Sequence, residues 1–236
     1  MQIKGLQKLT LIDFPGLLAC TVFLANCNFR CPWCYSKELV LPDKVSALPR
    51  ISEKDFFSFL WQRKKDLDGV VICGGEPCLN PDLAEFCRAI KQIGFKIKLN
   101  TNGSRPDVIE GLINEGLVDY LAMDVKAPKE KYAKLIGLEG CSLHYLLDNL
   151  EDSIELIKNS NLPYEFRTIF VPGLLTKDDI LKIVFWLSPA QKYVLQNFKP
   201  GQTLDDNLAG LEPYSKEELF LIKEAIVPFF DDCQVR

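Results

Sequence analysis

Six runs of apolar, β-prone residues alternate with segments of helical spacing along a chain of 236 residues. The runs cover residues 19–25, 70–73, 96–101, 120–125, 165–171 and 193–198. We expect each run to be a strand and each following segment to be a helix, which gives a parallel sheet with helical crossovers. Six such units are two fewer than a complete (β/α)8 barrel, and a doubly wound open sheet would show the same alternation. The pattern therefore predicts an α/β fold and leaves the strand order open.

The helical segments cover residues 53–66, 81–93, 106–115, 150–159, 177–187 and 215–229. Three of them have a start signal directly before them, namely Ser52, Asn80 and Thr176, which are residue types that cap helix N-termini. Residues 41–50 and 199–213 are the least regular. We expect the second of these regions to be a loop before the last helix.

Composition excludes several classes of function. Hydrophobic residues make up 47% and charged residues 25% of the chain, as in ordinary soluble globular proteins. The net charge is −4 and no long basic stripe is present, so we expect no nucleic-acid partner. The longest apolar stretch near the N-terminus, residues 17–25, is much shorter than the roughly 20 residues that span a bilayer, and the first residues lack the layout of a signal peptide. We expect a cytoplasmic protein with no membrane partner.

The chain has nine cysteines. An odd number argues against a closed disulfide framework, so metal binding or catalysis is the leading explanation for some of them. Three of them, Cys27, Cys31 and Cys34, lie close together directly after the first run. Thiolates are ligands of iron–sulfur clusters and of zinc, and three ligands on a four-iron cluster leave one iron open. A structural zinc site and three unrelated buried thiols remain as alternatives, although the one histidine, His144, is far away in the sequence.

The second motif, Gly74-Gly75-Glu76-Pro77, follows the second run. Two glycines allow the backbone to come close to a ligand. The end of a strand is also the place where α/β folds build their active sites. The alternative is a tight turn before a helix.

Two further strand ends carry polar residues. The sequence Asn-Thr-Asn-Gly at residues 100–103 ends the third run, although Asn-Gly is also an ordinary turn signal. Asp124 and Lys126, at the end of the fourth run, are two residues apart, so they point to the same side of a strand. They either face the mouth of the sheet or pair with each other.

Arg167 lies inside the fifth apolar run, where an unpaired charge is costly to bury. We expect it to meet a carboxylate or to face the active-site mouth. Gln196 and Lys199, near the end of the last run, are candidates for the rim of the site. His144 is expected to be structural or on the surface. The other cysteines are expected to be buried small residues: Cys20, Cys73, Cys78, Cys87, Cys141 and Cys233.

The cysteine spacing carries a family resemblance. Cys-x3-Cys-x2-Cys with the aromatic Trp33 before the last cysteine resembles the signature of the radical S-adenosylmethionine (SAM) superfamily. Residues 11–16, Leu-Ile-Asp-Phe-Pro-Gly, and residues 20–24 are similar to the activating proteins of anaerobic ribonucleotide reductases. The resemblance implies an α/β fold with a partial (β/α)6 TIM-like barrel. It also implies a single radical SAM domain over residues 1–236, with a core at about 18–200 and a C-terminal helix at about 215–229.

The resemblance also implies the ligands. Cys27, Cys31 and Cys34 would hold a [4Fe–4S] cluster, and SAM would bind its open iron. Thr101, Asp124 and Lys126 would help to place SAM, partly through a bound monovalent cation. No catalytic side chain is expected beyond the cluster ligands. The residues expected to bind SAM are Trp33, Gly74, Gly75, Glu76, Pro77, Asn100, Thr101, Asp124, Lys126, Arg167 and Gln196.

The implied activity is reductive cleavage of SAM to a 5′-deoxyadenosyl radical, which installs a glycyl radical on an anaerobic ribonucleotide reductase. Flavodoxin or ferredoxin would donate the electron. The alternatives are a radical SAM enzyme that modifies a small molecule or an RNA base, and a non-catalytic binding module held together by zinc. Many activases have His-Asn where this chain has Tyr35-Ser36, so contacts just beyond the cluster are expected to differ. No cysteine lies between Cys34 and Glu53, and we expect a single cluster.

Overall fold

The computed structural model describes residues 1–138 and 143–236. In this part of the chain, eight strands form one sheet whose order follows the sequence, β1 to β8. The strands are β1 (Ile3–Thr10), β2 (Ala19–Leu24), β3 (Gly69–Gly74), β4 (Lys96–Thr101), β5 (Tyr120–Asp124), β6 (Tyr164–Phe170), β7 (Ala190–Asn197) and β8 (Phe230–Val235).

The strand order decides between the two predicted architectures. Strands β2, β3 and β4 pair in parallel, and so do β6, β7 and β8, whereas β1 is antiparallel to β2. A doubly wound sheet reverses its strand order at a switch point, and this sheet does not. The doubly wound alternative is therefore wrong, and the winding is that of a barrel that stays open.

The six predicted strands correspond to β2 to β7. Most of their residues are buried, as expected for parallel strands covered on both faces. Strands β1 and β8 were not predicted. Both lie at an end of the strand order and leave many residues exposed or half-buried, so they lack the continuous apolar signal of the other six.

The helices lie between the strands. They are α1 (Lys37–Val40), α2 (Pro42–Ala47), α3 (Glu53–Gln62), α4 (Leu83–Ile93), α5 (Pro106–Asn114), α6 (Tyr132–Leu135), α7 (Leu143–Asn159), α8 (Lys177–Leu187) and α9 (Lys216–Ile226). Short 3-10 helices lie at Pro77–Leu79, Lys129–Lys131, Asp206–Leu208 and Val227–Phe229. No helix among the described residues is long and apolar enough to cross a membrane.

Two of the three predicted helix starts are confirmed. The Ser52 hydroxyl accepts a hydrogen bond from the backbone N–H of Asp55, and Thr176 forms a reciprocal capping box with Asp179. The prediction for Asn80 was wrong, because α4 begins only at Leu83. The Asn80 side chain instead donates to the Pro77 carbonyl and closes the preceding 3-10 turn.

Three other helix predictions need correction. The segment 41–50 is not irregular throughout, because Pro42 at its start sets a helical φ and α2 follows. Helix α3 ends before residue 66, since the chain turns at Arg63. Helix α7 begins at Leu143, well before the predicted residue 150.

The chain forms two compact units. Unit 1 comprises Met1–Asn28, Glu38–Thr101 and Arg105–Leu121, and unit 2 comprises Phe29–Lys37, Asn102–Ser104 and Ala122–Arg236. Unit 1 contains β1 to β4, and Phe56 of α3 stacks on Phe86 of α4 in its core, with ring centroids 5.2 Å apart. Unit 2 contains β6 to β8, and the buried Tyr193 stacks on the half-buried Phe230, with ring centroids 4.9 Å apart. Each unit thus has its own aromatic contacts.

Candidate functional site

The segment that carries the three clustered cysteines follows β2 and passes from unit 1 into unit 2. Cys27 is half-buried in unit 1, and in unit 2 Cys31 is buried and Cys34 half-buried. All three are thiols, not halves of disulfides. The backbone N–H of Cys34 donates to the Cys31 carbonyl at 3.0 Å, which makes a tight turn around the buried Trp33.

In unit 2, backbone hydrogen bonds fix the path of the cysteine segment. The N–H of Arg30 donates to the carbonyl of Ile136 at 2.7 Å, and the N–H of Asp205 donates to the carbonyl of Pro32 at 2.9 Å. The Tyr35 hydroxyl accepts from the N–H of Lys199 at 2.7 Å. Tyr35 thus links the end of the cysteine segment to the loop after β7, a contact that sequence reasoning missed.

In unit 1, the Gly-Gly-Glu-Pro turn lies against the chain that leads to Cys27. The N–H of Gly75 donates to the Leu24 carbonyl at 2.8 Å, and the N–H of Glu76 donates to the Asn26 carbonyl at 2.7 Å. A Cβ atom on Gly75 would lie 1.9 Å from the Asn26 carbonyl oxygen. The second glycine of the motif is therefore required by a close approach of backbone to backbone.

The Glu76 side chain is almost fully buried, with 1% of its surface exposed. Its Oε1 accepts hydrogen bonds from the Thr101 hydroxyl at 2.8 Å and from the N–H of Cys78 at 3.0 Å. Burial, followed by the charge of Glu76, raises the pKa of the Cys78 thiol well above its ordinary value, so Cys78 stays protonated here. The two neighbouring strand ends of β3 and β4 are thus joined through one carboxylate.

Asn100, at the end of β4, has a buried acceptor. Its Oδ1 atom is buried and has no hydrogen-bond partner among the described residues. Buried polar atoms are normally satisfied by protein, water or a bound group. An amide oxygen of this kind fits a polar group or a cation of a bound ligand.

In unit 2, Asp124 is the centre of a charged cluster. Its Oδ1 accepts from Arg167 Nε at 2.7 Å and its Oδ2 from Lys126 Nζ at 2.9 Å. Burial alone would raise the pKa of Asp124, but the charges of Arg167 and Lys126 hold it at about 2. Burial also opposes the charge on Lys126, yet Asp124 and the nearby Cys31 raise the pKa of its ammonium above the ordinary value. Asp124 and Lys126 are therefore charged at neutral pH, and an arginine such as Arg167 always carries its charge in proteins.

Arg167 also lies near a second carboxylate. Its Nη1 is 3.8 Å from Oε1 of Glu165, which is fully buried, and Arg236 Nη2 lies 3.9 Å from Oε2 of the same residue. Arg236 follows β8, a strand that was not predicted, so this contact could not be foreseen. The prediction that Arg167 meets a carboxylate is confirmed.

The remaining predicted residues lie as follows. Gln196 is half-buried on β7, and the side chain of Lys199 is on the surface. The side chain of His144 is 91% exposed and lies 3.6 Å from Asp148. Of the other cysteines, Cys141 lies outside the described residues; Cys20, Cys78 and Cys87 are buried, whereas Cys73 and Cys233 are half-buried.

The cysteine segment fits an iron–sulfur cluster in its donor chemistry. It offers three thiols within a short stretch whose path is fixed by backbone hydrogen bonds, and thiolates are the usual ligands of such clusters. Within residues 1–138 and 143–236, no three His, Cys, Asp or Glu side chains are grouped around a single metal ion position. A four-iron cluster does not require such a group, because each thiolate binds a different iron.

Residues 21–187 match the sequence model of the Radical SAM superfamily. Over 235 residues the chain is 31% identical to a Methanocaldococcus jannaschii protein provisionally named a glycyl-radical enzyme activating enzyme, and the match covers 99% of this chain and 95% of that protein. It is also 28% identical over 185 residues to a 7-carboxy-7-deazaguanine synthase of Koribacter versatilis, covering 75% of this chain and 72% of that protein.

The fold is similar to a solved structure of Streptococcus suis SuiB bound to SAM. The TM-score is 0.66 at 13% sequence identity, and the match covers 91% of this chain. The chain spans about half of the SuiB chain, 51% of its length. At this identity the likeness concerns the fold alone, and with the strand order it confirms the predicted open barrel.

Proposed function

Because the chain belongs to the radical SAM superfamily, we propose that it activates a glycyl-radical enzyme and that this enzyme is an anaerobic ribonucleotide reductase. One observation carries the proposal: the similarity to the Methanocaldococcus jannaschii protein extends over nearly the whole length of both chains, beyond residues 21–187 that the superfamily shares. The proposal includes a single functional domain over residues 1–236 and a cytoplasmic location.

The cofactors of the superfamily are a [4Fe–4S] cluster and SAM. We propose that Cys27, Cys31 and Cys34 hold the cluster. When bound, the cofactors supply a reducing electron and a 5′-deoxyadenosyl radical that abstracts a hydrogen atom. The protein's contribution is to bind and orient these groups and to exclude water. The buried Trp33 beside Cys34 excludes water at this turn.

The residues proposed to bind SAM are supported by their environments. The backbone of the Gly-Gly-Glu-Pro turn is held in place by hydrogen bonds to the carbonyls of Leu24 and Asn26. The Oδ1 atom of Asn100 is a buried acceptor to which a ligand can donate a hydrogen bond. Arg167 and Lys126, fixed by Asp124, offer two oriented cations to the carboxylate or hydroxyl groups of SAM. The remaining proposed SAM residues are Trp33, Gly74, Gly75, Glu76, Pro77, Thr101 and Gln196, with a monovalent cation as an additional ligand.

Flavodoxin or ferredoxin is the proposed electron donor, and the proposed substrate is a backbone glycine of the partner enzyme. A second candidate function is the modification of a small molecule or an RNA base by a radical SAM enzyme. The similarity to 7-carboxy-7-deazaguanine synthase over three quarters of the chain supports it. The two candidate functions differ in the substrate that should accelerate SAM cleavage. The first requires a glycyl-radical enzyme, and the second a small molecule or an RNA base.

The first test concerns the cluster and the cleavage of SAM. We expect the protein reconstituted anaerobically with iron and sulfide to form 5′-deoxyadenosine from SAM in the presence of dithionite. The Cys31→Ala variant should lose both cluster and product. The matched control is Cys233→Ala, which removes a half-buried thiol of β8 and should retain both. A Cys31→Ala variant with a full cluster would contradict the ligand assignment.

The second test concerns the partner. We expect electron paramagnetic resonance to detect a glycyl radical when the reconstituted protein, SAM and reductant are mixed with a purified anaerobic ribonucleotide reductase. The Cys31→Ala variant should give no radical. If the reductase stays radical-free while a small molecule increases 5′-deoxyadenosine formation, the activase proposal is wrong and the second candidate is favoured.

A further inference from the structure

Asn26, the residue directly before Cys27, has a left-handed backbone with φ at 73°. This conformation brings the Cβ atom of an L-residue close to the following carbonyl oxygen, and asparagine tolerates it better than most. Among the described residues, Asn161 is the other residue besides glycine with positive φ. Asn161 lies just after α7, where left-handed residues commonly end helices, whereas Asn26 lies between a strand and a cysteine.

Hydrogen bonds hold the backbone of Asn26 on both sides. Its N–H donates to the carbonyl of Leu39 in α1 at 2.8 Å, and its carbonyl accepts from the N–H of Glu76 at 2.7 Å. Gly75 lies so close to the same carbonyl that no other residue type fits there. Strained conformations persist where the surroundings over-determine them, and they cluster at functional sites.

The side chain of Asn26 does not explain why this position has an asparagine. It is exposed to solvent, so its burial stabilises little. Since the backbone is held and the side chain is exposed, the requirement at this position is for a residue that tolerates positive φ. The left-handed backbone of Asn26 is therefore part of the path by which the chain goes from β2 to Cys27.

We propose that Asn26 is a positioning residue for the cluster ligand Cys27. Its left-handed backbone, held by Leu39 and Glu76, presents the Cys27 thiol in the direction that cluster binding requires. The same carbonyl is bound by the Gly-Gly-Glu-Pro turn, so the first cysteine and this turn share one anchor point. The inference rests on the proposed function, because it requires Cys27 to be a cluster ligand.

The test compares Asn26→Gly with Asn26→Val after anaerobic reconstitution of the full chain. Glycine adopts positive φ without cost, so Asn26→Gly should hold iron and sulfide as the wild type does. A β-branched residue disfavours this conformation, so Asn26→Val should lose iron to a ferrous chelator about tenfold faster. The measurement needs neither SAM nor turnover, only iron and sulfide per chain and the rate of iron release.

Asn161→Val is the matched control, because it introduces the same backbone conflict at a residue that does not adjoin a cysteine. We expect it to destabilise the apo-protein in urea unfolding about as much as Asn26→Val, with wild-type iron release. Equal acceleration of iron release in both variants would overturn the proposal, since the effect would then follow from lower stability alone. Wild-type iron release in Asn26→Val would overturn it as well.

Cys27→Ala, measured alongside, separates this inference from the proposed function. If Cys27→Ala loses the cluster while Asn26→Val releases iron as the wild type does, Cys27 is a ligand and Asn26 does not position it. If Cys27→Ala holds the cluster as the wild type does, the ligand assignment is wrong and the positioning role of Asn26 falls with it. Faster release in Asn26→Val, wild-type release in Asn161→Val and loss in Cys27→Ala together are the supporting result.

Discussion

Glu76 in unit 1 and Asp124 in unit 2 are both acidic residues near the end of a strand, yet they are held in different ways. Glu76 is bound by an alcohol, the hydroxyl of Thr101, and by a backbone N–H. Asp124 is bound by the two cations Arg167 and Lys126. The hydrogen bonds from Thr101 and from the N–H of Cys78 need only an acceptor oxygen at Glu76, whereas the ion pairs of Asp124 need a negative charge.

This difference has a structural consequence. Hydrogen bonds to neutral donors are directional, so Glu76 fixes the geometry of the turn around it. An ion pair removed from water is costly to break, because the partner left behind keeps its charge. We therefore expect Glu76 to act as a structural brace and Asp124 to act as the counter-charge that keeps Arg167 and Lys126 in place.

The largest expected effect is that of Asp124→Ala. Removing the carboxylate takes the shared counter-charge away from Arg167 and Lys126, and Arg167 keeps only the more distant contact with Glu165 at 3.8 Å among those described above, so the free energy of unfolding should fall by about 3 kcal/mol. Urea unfolding of the apo-protein measures this loss. The control is Asp107→Ala, which removes an exposed carboxylate paired with Arg105 and should cost less than about 1 kcal/mol. Equal losses in the two variants would erase the contrast between a half-buried and an exposed pair.

The second prediction concerns acid pH. The pKa of Asp124 is about 2 in the folded protein, against an ordinary value of 3.8. A lowered pKa in the folded state means that the carboxylate's contribution is present above about pH 4 and is lost as the pH falls toward about 2. The contribution should be about 2 kcal/mol.

Urea unfolding of the wild type and of Asp124→Asn at a series of pH values measures the contribution of the Asp124 carboxylate to the free energy of unfolding. The difference between the two proteins in free energy of unfolding should shrink as the pH falls from about 4 to about 2, because the amide does not titrate. A difference that stays constant through this range would mean that Asp124 is not held as an anion by its two partners.

The contrast between the two residues also shows what the sequence can predict. Asp124 and Lys126 lie two residues apart, so their pairing could be anticipated from strand geometry. The third partner, Arg167, is 43 positions from Asp124; the cost of burying an arginine predicted a carboxylate partner without identifying it. The contacts of Glu76 with Thr101 and with the N–H of Cys78 were not predicted, since the first joins two strands and the second involves a backbone N–H.

The same reasoning applies to the fold. Strands β2 to β7 were predicted because burial on both faces makes them apolar throughout. Strand β8 contains Asp231 and Asp232, both exposed, and is defined by its pairing with β7. The contact between Arg236, which directly follows β8, and the buried Glu165 could not be predicted for the same reason. Tertiary pairing, not local pattern, determines these elements.

The third prediction exchanges the Glu76 carboxylate for its amide. A glutamine at residue 76 still offers an oxygen acceptor to Thr101 and to the N–H of Cys78, so Glu76→Gln should stay within about 1 kcal/mol of the wild type. Glu76→Ala leaves both donors buried without an acceptor and should cost about 2 kcal/mol. Urea unfolding of the apo-proteins gives both values. If Glu76→Gln costs as much as Glu76→Ala, the negative charge of Glu76 matters and the two residues are held alike.

The smallest expected effect is that of Thr101→Val. Valine has nearly the shape of threonine but lacks the hydroxyl that donates to Glu76 at 2.8 Å, so the free energy of unfolding should fall by about 1 kcal/mol. Thr101→Ser keeps the hydroxyl and loses a methyl group, which makes it the matched variant for the hydrogen bond. We expect the double variant Thr101→Val with Glu76→Ala to lose less than the sum of the two single variants, since each single variant already removes the hydrogen bond between the two side chains. Additive losses in this cycle would show that Thr101 and Glu76 do not act together, and the hydroxyl of Thr101 would then have no part in the brace in unit 1.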